Sequence, residues 1–233
     1  GITMQGIFTH FSEADIADKE WAHEQHRRFS DFIDALKEAG VTFNIHHCCN
    51  SAGTLELPDF HREMIRPGII QYGYDASKEV LVTGTKIKPV MSLRCCITHL
   101  KTIYEGDCVG YGRHFTAKGP TKIATLPIGY ADGYNRALSS KIDVIVHGVR
   151  AHQVGNICMD QCMIDVSHIP NVKVGDEVVL FGEQGSECVS ADEIADTCHT
   201  IIHEITCNIN RRVPRIYVQN GKIVQRLEYL TQS

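Results

Sequence analysis

The hydrophobic pattern of this chain of 233 residues changes near residue 86. Before that point, short apolar runs alternate with a longer stretch whose apolar residues recur every three or four positions. After it, short apolar runs follow one another closely, separated by turns rich in glycine, aspartate and asparagine. Alternating strands and helices are typical of a parallel sheet covered by helices, whereas closely spaced strands are typical of an antiparallel sheet. The sequence therefore predicts two domains, an α/β domain at residues 1–85 and an all-β domain at residues 86–233.

The pattern of the first domain predicts β/α units of a barrel. A helix with one apolar face is expected from about Lys19 to Gly40, and residues 59–65 form at most a short helix. A closed barrel of eight such units needs about 250 residues, so this region can supply only the C-terminal part of a TIM-type (β/α)8 barrel. Its three strands are predicted at residues 4–11, 41–49 and 69–72.

The pattern of the second domain predicts an antiparallel, partly closed β-domain. One helix interrupts it, because Ser190 and Glu193 form a capping box ahead of an apolar face that runs over residues 194–205. The Asn220-Gly221 pair between two apolar runs predicts a closing hairpin at residues 215–227. The other strands are predicted at residues 90–104, 121–126, 142–149, 154–166 and 177–181.

Composition and charge exclude several classes of function. A net charge of −5 provides no basic surface for nucleic acid or anionic membranes. No apolar run approaches the roughly 18 residues that suggest a membrane span. The first residues lack the basic flank and apolar core of a signal peptide. We therefore expect a cytoplasmic protein with no nucleic-acid or membrane partner.

The ten cysteines are expected to be buried, reduced thiols. They include the doublets Cys48-Cys49 and Cys95-Cys96, and adjacent residues of a strand point to opposite faces, so neither doublet suits a bridge or a chelate. The adjacent His46 and His47 diverge for the same reason, and no C-x-x-C pair is present for zinc. No metal site is predicted.

Four short motifs follow one another along the chain. They are Ile-Arg-Pro-Gly-Ile at residues 65–69, Val-Gly-Tyr-Gly at 109–112, Ile-Gly-Tyr-Ala-Asp-Gly-Tyr at 128–134 and Ile-Cys-Met-Asp-Gln-Cys-Met at 157–163. In this order and at these separations they resemble the alanine racemases, pyridoxal phosphate (PLP) enzymes built from a barrel and a β-domain. The resemblance runs from Gly6 to about Arg215, which is nearly the whole chain.

The resemblance implies how the first domain would hold PLP. Arg66 would donate a hydrogen bond to the pyridine nitrogen, and because arginine keeps its proton at neutral pH, that nitrogen would stay unprotonated. The ring is then a weaker electron sink, which suits racemisation without transamination. The Ser51 hydroxyl and the backbone N–H groups of Gly68 and Ile69 would bind the phosphate.

Tyr111 matches the family's second acid/base, which acts on the face of the substrate opposite the cofactor lysine. A free phenol titrates at about 10, so the tyrosine needs neighbours that favour the phenolate. His10 matches the histidine that links this tyrosine to Arg66, and the resulting chain provides a means of activation. Tyr111, His10 and Arg66 are therefore the expected catalytic residues.

The two remaining motifs are expected to line the cleft. Tyr130 would lie on the cofactor side, whereas Met159 and Asp160 would bind the substrate, the methionine by donating its backbone N–H to the substrate carboxylate. In the family, the β-domain of a second subunit completes the active site, so the resemblance implies a homodimer with shared sites. The partner subunit would then supply Tyr111, Met159 and Asp160.

The family's cofactor lysine has no counterpart among the eleven lysines of this sequence. It belongs to a motif, Ala-Val-x-Lys-Ala, that lies N-terminal to any residue present here. We therefore expect the chain to be the C-terminal portion of the enzyme and to be inactive by itself. The intact enzyme would racemise L-alanine to D-alanine, which serves peptidoglycan synthesis.

Two other functions remain open on the sequence. One alternative is the soluble part of a serine racemase of the membrane-attached type, because a relative that acts on serine would also fit the motifs. Arg211 stands where many family members carry a tyrosine that contacts the phosphate, which leaves the preferred substrate open. The chain is also compatible with a folded, non-catalytic interaction domain, since an unpaired barrel edge favours association. The residues upstream of Gly1 would distinguish these alternatives.

Overall fold

A computed structural model describes residues 1–76, 79 and 87–230 of the chain. The chain divides into two compact units, Gly1–Val90 and Met91–Ser233. The domain boundary predicted at residue 86 lies outside the described residues.

The first unit contains a parallel β/α arrangement. Strand β1 (Gly6–Phe8) pairs in parallel with β2 (Ile45–His47), and helix α1 (Glu20–Glu38) connects them. A parallel pair requires such a crossover, and the α/β character predicted for this region is confirmed. α1 turns its apolar face inward and buries Phe29. The buried core of the unit is formed by Phe11, Ala14, Ala22, Phe29, Cys48, Cys49, Ala52 and Leu57.

The prediction of a third strand in this region, at residues 69–72, is wrong. Residues Ile69–Tyr72 form a 3₁₀ turn that ends at Gly73, whose φ of 79° is left-handed. The N–H of Gln71 donates to the Gly68 carbonyl at 3.0 Å, which closes the turn locally instead of in a sheet. A run of four residues is too short for periodicity to distinguish a strand from a helical turn.

A short helix that the apolar pattern does not reveal follows β2. It is α2 (Ser51–Glu56), and Asn50 caps it by accepting a hydrogen bond from the Gly53 N–H at 2.9 Å. Asparagine at this position is a strong start signal that the sequence does contain. The short helix expected at residues 59–65 is a 3₁₀ turn at Pro58–Phe60.

The second unit is built mainly of β-strands. Two very short strands pair only with each other, and eight form a larger sheet. The strands are β3 (Leu93–Cys96), β4 (His99–Ile103), β5 (Cys108–Val109), β6 (Phe115–Thr116), β7 (Thr121–Leu126), β8 (Asp143–Val146), β9 (Val149–Val154), β10 (Cys162–Asp165), β11 (Glu177–Gln184) and β12 (Glu187–Val189).

The larger sheet is antiparallel throughout, as predicted for this domain. Its order is β12-β11-β8-β9-β10-β7-β4, with β3 pairing to β11 outside that path. The interior strand β8 buries Val144, Ile145 and Val146 completely. Partial closure of this sheet stays a prediction.

Left-handed residues divide two of the predicted strands. The run at 142–149 ends in a turn at His147 (φ 53°) and Gly148 (φ 73°), which joins β8 to β9. The run at 154–166 contains Gly155 (φ 74°) and a loop before β10 begins at Cys162. Two consecutive residues with positive φ match the twist of a hairpin, and this geometry cannot be read from hydrophobicity.

The run at 90–104 also contains two strands, β3 and β4, instead of one. β3 pairs with β11, whereas β4 pairs with β7. The strand predicted at 121–126 coincides with β7, and the one at 177–181 extends to Gln184 in β11.

The helix predicted after Ser190 is two helices. α3 (Ala191–Thr197) begins with the expected cap, in which the Glu193 N–H donates to Ser190 Oγ at 3.0 Å. α4 (Ile202–Asn208) follows after His199, which has a left-handed φ of 56°. The side chain of Glu193 binds Arg150 Nη1 at 2.8 Å, so it belongs to an ion pair that only the folded sheet creates.

The closing hairpin is confirmed. β13 (Arg215–Gln219) pairs with β14 (Lys222–Leu227) in antiparallel fashion. Asn220 and Gly221 adopt φ angles of 51° and 73°, the conformation that a two-residue turn of this type demands.

The ten cysteines are free thiols, but their burial is mixed. Cys48 and Cys49 follow the end of β2, and their Sγ atoms lie 3.9 Å apart. They do not diverge as strand neighbours would, because they are outside the strand. Cys96, Cys188 and Cys207 are exposed, so the prediction of burial is wrong for them.

The described residues also bear on membrane spans and metal sites. No helix among these residues is apolar over a length that would cross a bilayer. Nor do three or more histidine, cysteine, aspartate or glutamate side chains in this part of the chain form a group that could hold a metal ion.

Candidate active site

The first group of candidate residues lies where the two parallel strands of the first unit end. His10 follows β1 by two residues, and Ser51 begins the helix that follows β2. The carboxyl ends of parallel strands meet at one edge of a sheet, which is where α/β proteins bind ligands. The fold therefore places two residues that are far apart in sequence at the same edge of the parallel pair.

Arg66 is the centre of this group. Its Nη1 lies 2.5 Å from His47 Nδ1, and its Nη2 lies 3.2 Å from His10 Nδ1. Nη2 also donates to the Thr9 carbonyl at 3.0 Å, and the Arg66 backbone N–H donates to the Cys49 carbonyl at 2.9 Å. The guanidinium is thus fixed by both strand ends at once.

These contacts determine how the two imidazoles are protonated. Arginine can only donate hydrogen bonds, so Nδ1 of His47 and Nδ1 of His10 must accept, and the ring proton of each lies on Nε2. Desolvation, followed by the positive charge of Arg66, lowers the pKa of His47 below its ordinary value. Phe8 stacks on the His47 ring with a centroid separation of 5.1 Å, which holds the imidazole in place.

Ser51 and Gly68 form a second contact in this unit. Ser51 is buried, and its Oγ accepts a hydrogen bond from the Gly68 N–H at 2.8 Å. The expected phosphate donor at Gly68 is therefore directed at the serine. Because Ser51 Oγ already accepts one bond, its own proton is available for another acceptor. Ile69, which begins the following 3₁₀ turn, is 2% exposed.

Tyr111 lies in the second unit, on a turn between β5 and β6. The turn is tightly bent, because Gly110, Gly112 and Arg113 have φ angles of 76°, 75° and 54°. The tyrosine side chain is 74% exposed. Only glycine adopts such angles without strain, so the two glycines are needed to present this tyrosine.

Asn156 connects the Tyr111 turn to the loop that carries Met159. Its Nδ2 donates to the Tyr111 carbonyl at 2.8 Å. A Cβ at Gly110 would lie 3.2 Å from the Asn156 backbone nitrogen, and a Cβ at Gly155 would lie 2.7 Å from the Val109 carbonyl oxygen. The two loops are therefore packed backbone to backbone.

The Tyr130 turn, which belongs to the motif at residues 128–134, is hydrogen-bonded to the same loop. The Tyr130 N–H donates to the Cys158 carbonyl at 3.1 Å, and the Ala131 N–H donates to the Met159 carbonyl at 3.0 Å. Gly129 permits this approach, because a Cβ there would lie 2.2 Å from the Cys158 oxygen. Tyr130 and Met159 keep about half of their surface exposed, at 44% and 54%.

Arg212 bridges two aspartates of these motifs. Its Nε donates to Asp132 Oδ1 at 2.6 Å, and its Nη2 donates to Asp160 Oδ1 at 2.5 Å. The pKa of Arg212 is raised by hydrogen bonds to both carboxylates, Asp132 first. Asp132 is buried, and its Oδ2 accepts from the Gly129 N–H at 2.9 Å. The Asp160 carboxylate is consequently paired within the chain.

The predicted site residues fall into two groups, one in each unit. In the first group His10 contacts Arg66 and Ser51 contacts Gly68, and in the second group the Tyr111 and Tyr130 turns contact one loop. The sequence reasoning missed four residues that hold these groups. His47 was assigned to a pair that diverges on a strand, Asn156 directly precedes a recognised motif, Asp132 lies inside one, and Arg212 directly follows Arg211. The four are His47, Asp132, Asn156 and Arg212.

Family models match both units of the chain. Residues 1–76 match the N-terminal domain of alanine racemase, and residues 90–217 match the C-terminal domain of alanine racemase. Alanine racemase 1 of Clostridium acetobutylicum is 45% identical over 229 residues, covering 98% of this chain and 59% of that protein.

Solved structures agree with these sequence matches. Alanine racemase of Clostridium difficile in complex with cycloserine gives a TM-score of 0.91 at 41% identity, over 98% of this chain and 60% of that one. Alanine racemase of Bacillus anthracis with bound L-Ala-P gives a TM-score of 0.90 at 37% identity, over 98% of this chain and 58% of that one.

The chain thus spans about three fifths of the length of the relatives that it matches. Over that length, two family models, the sequence identity and the fold agree. The barrel-type unit and the β-domain occur in the order that the matched domains have. The chain belongs to the alanine racemase family, whose members are PLP-dependent isomerases.

Proposed function

We propose that this chain is the C-terminal portion of an enzyme that racemises L-alanine to D-alanine with PLP. The observation that carries the proposal is the guanidinium of Arg66, which is held by the Nδ1 atoms of His47 and His10 at the ends of two parallel strands. D-alanine supply for peptidoglycan is the role that we infer for the product. We also infer a cytoplasmic location from the family.

The residues of the first unit fit PLP by their chemistry. Arg66 is a pure donor suited to the pyridine nitrogen, which accepts. Ser51 retains a hydroxyl proton for a phosphate oxygen, because its Oγ accepts from Gly68. The N–H of Ile69, at the start of a 3₁₀ turn, is one of the donors that helical turns leave without a carbonyl partner. Arg66 thus offers a donor for the ring nitrogen, and Ser51 and Ile69 offer donors for the phosphate, which are the groups that this cofactor needs.

PLP, when bound, supplies a conjugated ring that stabilises negative charge at the α-carbon of the amino acid. Arg66 limits that stabilisation, because its guanidinium cannot pass a proton to the ring nitrogen at neutral pH. We propose that this restraint favours racemisation over transamination.

Tyr111 is the proposed acid/base on one face of the substrate. To act as a base it must lose its proton, which neighbouring donors favour. His10 can provide such a donor, because its Nδ1 accepts from Arg66 and its Nε2 therefore carries the proton. The proton removed from alanine would be held at the phenol oxygen of Tyr111, and the family's lysine would serve the opposite face.

The Met159 loop is the proposed binding site for the substrate carboxylate. The backbone N–H of Met159 would donate to that group. Asp160 carries a negative charge beside it, but Arg212 pairs with Asp160 and so reduces the repulsion of a second carboxylate. Tyr130, whose turn is bonded to the same loop, would line the cofactor side.

A homodimer with shared active sites is the proposed assembly. Tyr111, Met159 and Asp160 lie in the second unit, whereas Arg66, His10 and Ser51 lie in the first. We propose that the second unit of one subunit completes the site formed by the first unit of its partner.

The proposed function is tested by replacing Tyr111 with phenylalanine in the intact protein. The change removes the acid/base oxygen and leaves the PLP-binding residues of the first unit, so alanine racemisation should fall by at least about 100-fold with PLP still bound. The matched control is Tyr104→Phe, because Tyr104 is an exposed tyrosine of the same unit, at 63%. Unchanged racemisation in the Tyr111 variant would refute the assignment.

We further propose that these 233 residues alone are inactive, since no lysine among them stands in the family's cofactor motif. The purified chain would be mixed with PLP, reduced with borohydride, and its modified lysines mapped by mass spectrometry. No single stoichiometric adduct and no alanine racemisation are expected. One stoichiometric adduct accompanied by activity would contradict this proposal.

A further inference from the structure

The direction in which the Tyr111 side chain leaves the main chain depends on the conformation of its turn. The side chain is 74% exposed, and the described part of the chain shows no hydrogen bond to its hydroxyl. The glycines on either side have left-handed φ angles of 76° and 75°. Because glycine has no Cβ, the backbone torsions at these two positions are less restricted than at other residues. Some other contact must therefore hold the turn in one conformation.

Asn156 provides that contact. Its side-chain Nδ2 donates to the Tyr111 carbonyl at 2.8 Å, and its side chain is half-buried. Its backbone is equally constrained, because a Cβ at Gly110 would lie 3.2 Å from the Asn156 nitrogen. Asn156 thus fixes the carbonyl of the residue whose side chain is proposed to react.

The position of Asn156 in its loop links two functions. It precedes Met159 by three residues, and the loop between them is bonded to the Tyr130 turn through the carbonyls of Cys158 and Met159. One short loop therefore contains the proposed carboxylate-binding backbone of Met159 and also contacts the turn that carries the proposed base. A shift of this loop would move the two together.

We propose that Asn156 is a positioning residue for Tyr111, which sets the distance of the phenol oxygen from the substrate's α-carbon through the Tyr111 carbonyl. This inference rests on the proposed racemase function. It requires a donor at residue 156, because the Tyr111 carbonyl can only accept. Aspartate has nearly the same shape as asparagine, but its carboxylate cannot donate and would repel the carbonyl oxygen.

The first test measures catalysis by the holoenzyme with Asn156→Asp. A misplacement of about 1 Å can cost on the order of 100-fold in rate, so kcat should fall by about 10-fold or more. The deuterium isotope effect at the α-carbon should rise for the one enantiomer whose hydrogen faces Tyr111 and should not rise for the other. A merely structural role would slow both directions without this asymmetry. Asn171→Asp is the matched control, because Asn171 is an exposed asparagine of the same unit.

The second test does not depend on activity. Amide hydrogen exchange is measured on the 109–116 segment of the chain with Asn156→Asp, and separately with Asn156→Ala in case the added charge disturbs the loop. Exchange should become several-fold faster in both variants and stay unchanged in the Asn171 control. Unchanged exchange in this segment, or equal isotope effects for the two enantiomers, would overturn the role of Asn156. Failure of the unsubstituted holoenzyme to racemise alanine would instead count against the proposed function, while faster exchange would still support the positioning contact.

Discussion

At the scale of single residues, the cluster around Arg66 depends on a side chain that can donate hydrogen bonds but never accept them. The guanidinium forces Nδ1 of His47 and Nδ1 of His10 to act as acceptors. Each ring is left with a donor at Nε2, so one fixed charge determines the direction of both hydrogen bonds. Protonation of His47 Nδ1 would replace an attraction by a repulsion between two cations.

His47 should make the stability of the chain depend on pH. Its pKa is lowered by desolvation and by Arg66, so the folded state binds a proton less readily than the unfolded state. The stabilisation is therefore present above the ordinary value of 6.5 and is lost as the pH falls through the lowered pKa. When the pH is lowered from 7.5 to 5.5, the Tm of the unsubstituted chain should fall by a few degrees more than the Tm of the His47→Gln variant.

The measurement is thermal unfolding of both variants across that pH range. His46→Gln is a suitable control, because His46 Nδ1 faces the Glu63 carboxylate at 3.0 Å instead of a guanidinium. If His47→Gln and the unsubstituted chain lose stability in parallel as the pH falls, the assigned acceptor role of His47 Nδ1 is wrong.

At the scale of elements, glycines allow the loops of the second unit to pack backbone to backbone. Gly129 is the tightest case in the candidate site, because a Cβ there would lie 2.2 Å from the Cys158 oxygen and 2.5 Å from the Met159 oxygen. Backbone atoms cannot move aside as the end of a side chain can. The Tyr130 turn and the Met159 loop are therefore in register only while residue 129 has no side chain.

Gly129→Ala should force these two loops apart. We expect a loss of about 1–3 kcal/mol in the free energy of unfolding, as for other overpacked sites, together with weaker substrate binding. Gly119→Ala is the control, because no atom lies within 4 Å of a Cβ at that position. Denaturant unfolding of both variants provides the comparison, and equal stability of the two would contradict the close approach.

At the scale of the whole molecule, each unit has its own buried cluster. The second unit buries a continuous set of strand residues, with Val144, Ile164 and Val178 fully inaccessible. The first unit has a parallel pair of only two described strands and leaves Phe8 and Phe32 exposed, at 62% and 56%. Parallel sheets are stable when both faces are covered, so the two units should differ in their ability to fold alone.

We predict that the segment Met91–Ser233 folds by itself. Its antiparallel sheet and core are contained within the segment, so it should unfold cooperatively with a strand-rich circular dichroism spectrum. The segment Gly1–Val90 should instead associate or show little fixed structure, because exposed apolar strands favour self-association. Sedimentation and thermal unfolding of both segments give the answer, and a broad, non-cooperative transition for Met91–Ser233 would contradict the prediction.

The sequence by itself determined the elements whose signals are local. The Asn220-Gly221 turn, the Ser190 cap and the strand at 121–126 are present as predicted, because turn residues, caps and alternation act over a few residues. The motifs also identified the family, since their order and separations can be read from the sequence without knowledge of any contact. The split of the predicted strands at His147-Gly148 and Gly155 was not visible, because hydrophobicity carries no sign of a left-handed φ.

Only the tertiary structure decided which side chains support the candidate site. His47 accepts from Arg66, Asn156 donates to the Tyr111 carbonyl, and Arg212 joins Asp132 to Asp160 across long separations in sequence. The apolar run at 69–72 likewise became a 3₁₀ turn instead of a strand. The physical reason is common to these cases. A polar side chain takes its partner from whatever the fold places within about 3 Å, and no local pattern records that neighbour.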